Sequence, residues 1–130
     1  MIVVDASIVV DLVCTGTSTG VLGSRLEDEF LLAPELLPVE VASALRGLER
    51  GAVLDAAALE SAAGDLARLP VDLHPTLPLV PRILALRANL TAYDAAYVAL
   101  AAVFDCPLLT HDRRLARAAS GLCAVEVPSP

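Results

Sequence analysis

The sequence is poor in the residues that most often hold nucleic acid by bulk charge or by stacking. It has no lysine, all nine basic residues are arginine, and sixteen acidic residues leave a net charge of -7. Aromatic residues make up only 3% of the chain. Nonspecific attraction of a polyanion and a base-stacking platform are therefore both disfavoured. A polyanionic substrate has to be held locally, and arginine suits bidentate contact with phosphate.

Cysteines and long apolar runs are also scarce. Cys14, Cys106 and Cys123 form no CxxC pair and leave an odd count, which indicates neither a zinc site nor a disulfide framework. We predict that they are buried, reduced thiols. The longest uninterrupted apolar run, 95–104, is far shorter than the roughly 20 residues that span a bilayer. Residues 1–5 lack a positive region and are typical of a buried strand rather than a signal peptide, so we expect a cytoplasmic protein with no membrane span.

Strands and helices are predicted to alternate along the chain. Short apolar runs predict strands, and apolar residues at helical spacing predict the helices between them. The predicted strands are 2–4, 31–33, 71–73, 107–110 and 124–127. The predicted helices are 7–13, 22–30, 38–50, 55–69, 79–90, 91–104 and 113–119, with a turn at 15–20. This order predicts a single α/β domain over residues 1–130, with a parallel sheet covered by helices on both faces.

Four carboxylates stand where an α/β fold binds ligands. Asp5 and Asp112 follow predicted parallel strands, and Glu40 and Asp94 open predicted helices. Ligands bind outside the carboxyl ends of such strands, and right-handed crossovers bring helix starts to the same edge. We therefore predict that the four side chains converge. Ligand sets made only of oxygen favour hard cations such as Mg²⁺ or Mn²⁺, which can orient a phosphate and lower the pKa of a bound water.

Each acid also has an ordinary structural explanation. Residues 91–94 are similar to a capping box, and Glu40 lies in a first helical turn, where negative charge suits the helix dipole. Asp5 and Asp112 are good N-caps. For any one acid taken alone, capping is the simpler interpretation. The case for a functional site rests on the four acids together, because four unrelated helix caps would otherwise have to lie at the same edge of the sheet.

The arginines are open to two interpretations. Arg113, Arg114 and Arg117 follow Asp112 closely, and Arg46 and Arg50 form a second pair one helical turn apart. They are either local phosphate contacts or solvated helix faces.

Neither the two histidines nor the two tyrosines are predicted to act in catalysis. We place His74 in a loop and His111 on a strand end, and we expect hydrogen-bonded or solvent-facing rings rather than general bases. Tyr93 and Tyr97 lie one turn apart, and we expect both to pack in the core rather than to stack on bases.

Four stretches of the sequence form a recognisable set. They are residues 4–7 (VDAS), 38–45 (PVEVASAL), 90–101 (LTAYDAAYVALA) and 109–116 (LTHDRRLA). Together they resemble the PIN-domain ribonucleases, and specifically the VapC-type toxins of toxin–antitoxin pairs. The resemblance spans nearly the whole chain, and its most specific parts are the TAYDA block and the later THD.

The resemblance implies a three-layer α/β/α fold with a mostly parallel central sheet and Mg²⁺-dependent endoribonuclease activity, with Mn²⁺ as a plausible substitute. It implies a homodimer neutralised by a cognate VapB-type antitoxin, whose segment would cover the active-site groove and offer an arginine to the acids. Carried over by position, Asp5 and Asp94 would be the principal metal ligands. Glu40 would position or deprotonate the attacking water, and Asp112 would complete the metal shell.

Some neighbouring positions remain open under this resemblance. Ser7 and Thr110 flank two of the acids, and their hydroxyls would contact either a ligand or those carboxylates, or serve turns and caps. Some relatives carry a further acid just beyond the Asp112 position, where this chain has Arg113 and Arg114. The number of metal ions, one or two, therefore stays open.

Two other classes of function compete with a nuclease. The first is a catalytically idle PIN-like binding module that acts through a protein partner, and the presence of all four acids disfavours it. The second is a phosphoryl-transfer domain. Receiver domains need a lysine, which this chain lacks, and haloacid-dehalogenase-type phosphatases begin with Asp-x-Asp, whereas position 7 is serine.

Overall fold

The computed structural model describes residues 1–15 and 20–129 and is built around a parallel sheet. Its strands are β1 Ile2–Val4, β2 Leu31–Pro34, β3 Val71–His74, β4 Leu108–Leu109 and β5 Val125–Glu126. The strand order is β3-β2-β1-β4-β5, and all neighbouring pairs are parallel. Val3 of the central strand is in register with Leu32 on one side and Leu108 on the other. Because the order reverses between β1 and β4, the ligand crevice of an open α/β sheet is expected there.

Helices cover both faces of this sheet. They are α1 Ala6–Thr15, α2 Gly20–Leu26, α3 Leu37–Arg50, α4 Ala56–Arg68, α5 Val80–Ala85, α6 Ala92–Phe104 and α7 Arg113–Ala119. α1, α3 and α4 pack against one another, whereas α5 packs on α6, which lies across β1, β2 and β4. Right-handed crossovers put these two groups on opposite faces, since the chain winds outward from β1 in both directions. The predicted three-layer α/β/α fold is confirmed.

The densest part of the core joins β1 to the middle of α6. All of Ile2–Val4 and the seven consecutive residues 95–101 are buried. A helix that is apolar on every side has to be buried on every side. α6 begins with Thr91 as its N-cap, whose side chain accepts a hydrogen bond from the amide of Asp94 at 3.2 Å. The core therefore fixes the helix end that carries Asp94.

The predicted helix 22–30 is too long. α2 ends at Leu26, and a turn follows it. Three acids at a helix C-terminus oppose the helix dipole. One of them, Glu29, instead accepts hydrogen bonds from Arg25 at 2.8 Å and from the amino group of Met1 at 3.0 Å. The charges thus tie the chain after α2 to the start of β1.

Two other predicted elements also differ from the structure. Predicted helix 79–90 starts with a 3₁₀ turn over Leu77–Leu79 and ends at Ala85. It stops there because amides after Ala85 make tight i→i−3 bonds, such as Leu86 N to Ile83 O at 3.2 Å, that close turns. The predicted turn at 15–20 falls largely on residues 16–19, which lie outside the described residues.

The cysteines only partly match the prediction of buried thiols. Cys106 is buried, Cys123 is half-buried, and Cys14 is exposed, so the prediction is wrong for Cys14. All three are free, as predicted. Burial raises the pKa of the Cys106 and Cys123 thiols, which favours the unreactive protonated form.

The apolar segments of the described chain include no single helix long and apolar enough to cross a membrane. α1 and α2 reach the required length and composition only when they are counted together as a bent pair. The apolar residues of α1 pack in the core of the domain, where Ile8, Val9, Leu12 and Val13 are buried.

Candidate carboxylate site

Asp5 lies directly after β1 and is almost completely buried, with 6% of its surface exposed. Its Oδ1 accepts hydrogen bonds from the hydroxyl of Ser7 at 2.6 Å and from the amide of Ile8 at 3.2 Å. Its Oδ2 accepts a hydrogen bond from the hydroxyl of Thr110. Ser7 and Thr110 therefore contact the carboxylate, one of the alternatives left open by the sequence. These donors compensate for the burial of a charged group and fix the orientation of Asp5.

Asp112 lies after β4 and is held by the same threonine. Its amide donates to Thr110 Oγ1 at 2.9 Å. Its Oδ1 caps α7 by accepting from the amides of Arg114 at 2.9 Å and Leu115 at 3.1 Å. Capping uses one oxygen, and Oδ2 lies 3.8 Å from the guanidinium of Arg114. The N-cap explanation is thus correct, and the second oxygen takes no part in the cap.

Glu40 comes from the first turn of α3 and meets a side chain of α6. The hydroxyl of Tyr97 donates to Glu40 Oε1 at 2.7 Å. Burial raises the pKa of Glu40, and repulsion from Asp94 and Asp5 raises it further, against the opposing effect of the tyrosine hydrogen bond. Burial and the bond to Glu40 also raise the pKa of Tyr97, so the phenol stays protonated and remains a donor. This contact holds α3 and α6 together at the edge of the sheet.

Asp94 comes from the first turn of α6 and interacts with both strand-end acids. Burial raises its pKa, as does repulsion from Asp112 and, less strongly, from Asp5. The guanidinium of Arg114 acts in the opposite direction and lies 3.9 Å from Asp94 Oδ2. Arg114 is therefore the counter-ion that Asp94 and Asp112 share. Its own side chain is 76% exposed, so solvent weakens both contacts.

The four predicted acids thus come from four elements to one edge of the sheet. There Asp5 helps to raise the pKa of Glu40 and of Asp94, and Asp112 helps to raise that of Asp94. Among the described residues, no three His, Cys, Asp or Glu side chains form a ready-made ligand cluster. Like charges stay apart unless a cation draws them together, and here each acid has its own hydrogen bonds or arginine contact. The donor set fits a hard divalent cation, since every candidate ligand atom is a carboxylate oxygen.

The aromatic and histidine predictions hold in part. Tyr97 is buried in the core as predicted, whereas Tyr93 is 63% exposed, so core packing is wrong for Tyr93. His111 is hydrogen-bonded as predicted, with Nε2 2.8 Å from Asp11 Oδ2. His74 lies at the end of β3 rather than in a loop, and its ring packs edge-on against Phe104. Within the described chain its buried Nε2 has no hydrogen-bond partner, which contradicts the prediction.

Sequence reasoning missed two participants, Tyr97 as a donor to Glu40 and Arg114 as a counter-ion. Local spacing offered a signal for each. Tyr97 lies three residues after Asp94, so both occupy one face of α6. Arg114 lies two residues after Asp112, inside the first turn that Asp112 caps. Which acid each would reach depends on how the helices pack.

We expect Glu40→Gln to raise the melting temperature of the metal-free protein by several degrees at neutral pH. A carboxyl group whose pKa is raised on folding binds its proton more tightly in the folded state. The free energy of unfolding therefore falls as pH rises from the unfolded pKa of about 4.3 through the folded one. Glutamine removes this cost and still accepts from Tyr97. Thermal unfolding in a chelator across a pH series measures the difference, which should shrink towards pH of about 4.

Glu49→Gln is the matched control, because Glu49 is exposed on the same helix. It should leave the melting temperature nearly unchanged across the series. Equal effects of the two substitutions would show that net charge, and not the site around Glu40, is responsible.

Comparisons with known proteins agree with this architecture. The model of the PIN domain family matches residues 2–121. The chain is 42% identical over 130 residues to Ribonuclease VapC1 of Mycobacterium tuberculosis, with 96% of each chain covered. It is 39% identical over 127 residues to VapC ribonuclease Mb0985 of Mycobacterium bovis, with 98% of each chain covered.

Two solved structures share the fold. PAE2754 from Pyrobaculum aerophilum superposes with a TM-score of 0.69 at 29% identity, covering 95% of this chain and 81% of that one. VapBC2 from Rickettsia felis, crystallised with a DNA fragment from its promoter, gives a TM-score of 0.71 over 99% of this chain and 100% of that one. At 11% identity, the second likeness concerns the fold alone. The match over nearly the full length of the chain shows that this protein belongs to the PIN-domain family, among the VapC ribonucleases.

Proposed function

We propose that this protein is the toxin of a toxin–antitoxin pair and acts as a divalent-cation-dependent endoribonuclease. The observation that carries the proposal is the placement of Asp5, Glu40, Asp94 and Asp112 at the point where the strand order reverses. There the other acids raise the pKa of Glu40 and of Asp94. Nearly full-length identity to proteins named as ribonucleases supports RNA as the substrate. A single PIN-like domain over residues 1–130 would carry the activity.

Asp5 and Asp94 would be the principal ligands of Mg²⁺, or of Mn²⁺ in its place, and Asp112 would complete the shell. When bound, such a cation neutralises the phosphate, orients it and lowers the pKa of a coordinated water. The hydrogen bonds of Ser7 and Thr110 hold Asp5 in place beforehand. Arg114 partly neutralises Asp94 and Asp112, so it would have to move as they engage a cation.

Glu40 would orient the attacking water and accept its proton. A general base works best when its pKa lies near the operating pH, and burial together with neighbouring acids moves the pKa of Glu40 in that direction. Tyr97 donates to one carboxylate oxygen, Oε1, and leaves the other available for water. Tyr97 is thus a positioning residue, because it acts only through Glu40.

A cognate VapB-type antitoxin would neutralise the enzyme in the cytoplasm by covering this edge of the sheet. Arg114 already lies within 4 Å of two of the acids, and an antitoxin arginine would make a stronger bidentate contact there. Large apolar side chains are also exposed, among them Val39 at 74% and Leu77 at 81%. Such surface supports burial against the antitoxin or against a second copy in a homodimer.

The proposal is tested by incubating the purified chain with total RNA in Mg²⁺, in Mn²⁺ and in a chelator. Cleavage is expected with either cation and should disappear with the chelator. Mapping RNA ends after brief induction in cells, with Asp94→Asn as the comparison, would identify the target. No cation-dependent cleavage, together with no Mn²⁺ binding by calorimetry, would favour the idle binding module.

A further inference from the structure

A second feature lies beside the carboxylates and plays no part in the mechanism above. A cavity of about 620 Å³ runs between α7 and the last strand, and this size is within the range of ligand pockets. Its lining residues are Arg113, Ala116, Arg117, Ser120, Gly121, Cys123, Val125 and Val127. We call this cavity the α7 groove.

The charge of the α7 groove is opposite to that of the whole protein. Arg113 and Arg117 line it, and no acidic residue does, although the chain carries a net charge of -7. Within residues 1–15 and 20–129, neither arginine makes a side-chain hydrogen bond or an ion pair. Both guanidinium groups therefore keep all their donors available to a ligand, and a local positive potential can attract an anion that the bulk charge repels.

Strand alternation keeps Glu126 out of the groove. Val125 and Val127 face the cavity, so Glu126 between them points to the other side of the sheet. There it accepts two hydrogen bonds from Arg25, each at 2.8 Å. This pairing anchors the edge strand and satisfies the carboxylate, so Glu126 does not compete with a ligand for Arg113 and Arg117.

The geometry of α7 fits a chain of phosphates better than a single anion. Arg113 and Arg117 lie four residues apart on one helix face, about 6 Å along the axis. This matches the step between successive phosphates of an extended strand. Ser120 adds a hydroxyl at the far end of the groove. At the near end, Arg113 directly follows the predicted metal-shell residue Asp112, so this end of the groove lies next to the carboxylate edge of the sheet.

We propose that the α7 groove binds the phosphodiester backbone of a single-stranded RNA segment that leads to the carboxylate site. The inference rests on the proposed endoribonuclease function. It identifies the part of the protein that holds a polyanion despite the acidic composition. An acidic segment of a protein partner is the competing occupant, and the position of Arg113 directly after Asp112 favours RNA.

The test compares two matched double variants. Arg113→Gln/Arg117→Gln removes both charges of the α7 groove. Arg46→Gln/Arg50→Gln removes two exposed arginines at the same spacing on α3, so the net charge changes equally. Binding of a fluorescent single-stranded RNA of mixed sequence is measured by anisotropy in a chelator over a range of salt concentrations, with inorganic phosphate as competitor. Cleavage of the same RNA in Mg²⁺ is measured in parallel.

The groove variant is expected to bind RNA at least about tenfold more weakly at low salt, because charged hydrogen bonds are lost. Its salt slope should fall by about 1.4, since each contact on a single strand contributes about 0.7. The α3 variant should resemble the wild type. Equal losses in both variants, no loss in the groove variant, or displacement of RNA by phosphate at matching concentration would each overturn the proposal.

The experiment distinguishes an incorrect assignment of the groove from an incorrect proposal of nuclease activity. If the wild type cleaves RNA and the groove variant binds as tightly as the α3 variant, the groove assignment is wrong and the nuclease stands. If the wild type does not cleave RNA while only the groove variant loses binding, the nuclease is wrong and the groove stands as an RNA-binding surface. If the groove variant keeps RNA binding but loses binding of the protein partner, the acidic-segment alternative is correct.

Discussion

Asp94→Asn is expected to lower the rate of RNA cleavage in Mg²⁺ by at least about a hundredfold. Changes to groups that merely support metal ligands cost about 10- to 100-fold, and Asp94 is proposed as a ligand itself. The substitution should also leave the fold intact. The helix cap at this position uses the backbone amide of Asp94, which asparagine retains. Removing a half-buried charge repelled by Asp112 and Asp5 should leave the free energy of unfolding unchanged or raised.

The matched control for this experiment is Asp105→Asn at the other end of α6. Asp105 is exposed, and it ends the helix with a φ of 48°, a conformation that asparagine also adopts. The control removes one negative charge from the same helix, and its cleavage rate should equal that of the wild type. Wild-type cleavage by folded Asp94→Asn protein would remove Asp94 from the proposed metal site.

Asp94 provides a sharper test than Asp5, although the sequence alone ranks them equally. Asp5 accepts hydrogen bonds from Ser7, Ile8 and Thr110. An amide in its place would direct an NH₂ group at donors and disturb the local structure. A loss of activity in Asp5→Asn could then result from misfolding as well as from the loss of a metal ligand. Asp94 carries no such set of contacts.

The fold class could be predicted because each strand and helix is indicated by a local pattern of apolar residues. Apolar runs gave the strands, their alternation with helices gave a parallel sheet, and parallel strands bring their carboxyl ends to one edge. The order of the strands did not follow. β4 has two residues in the sheet and β5 has two, so neither carries a pattern that identifies its neighbour. β4 and not β3 pairs with β1, and α6 packs across β1, β2 and β4.

The candidate site, like the fold, was only partly predictable from the sequence. The placement of the four acids at one edge of the sheet was predictable because strand ends and helix starts share that edge. The contact of Tyr97 with Glu40 depends on how α3 and α6 approach each other, across 57 residues of sequence. The ring of His74, whose Nε2 has no hydrogen-bond partner among residues 1–15 and 20–129, contacts Phe104 across 30 residues of sequence. Such contacts between distant elements leave no periodic signal in the chain.

Thr110→Val is expected to lower the free energy of unfolding by about 2–4 kcal/mol, because leaving a buried polar group unpaired costs about 1–3 kcal/mol. Two groups lose their partner at once. The Thr110 hydroxyl donates to Asp5 Oδ2 and accepts from the amide of Asp112, and Thr110 is fully buried. Valine has nearly the same shape, so the loss reflects hydrogen bonds and not a cavity. The melting temperature should fall by roughly 10 °C.

Thr110→Ser separates the hydroxyl from the methyl group. Serine keeps both hydrogen bonds and gives up one buried methyl, a cost of about 1 kcal/mol, so its melting temperature should lie well above that of Thr110→Val. Activity should follow the same order, because the hydroxyl links Asp5 to Asp112 and so acts as a positioning group. If the serine and valine proteins unfold at the same temperature and bind Mn²⁺ equally well, the threonine only fills space, and its hydroxyl does not hold the two strand-end acids.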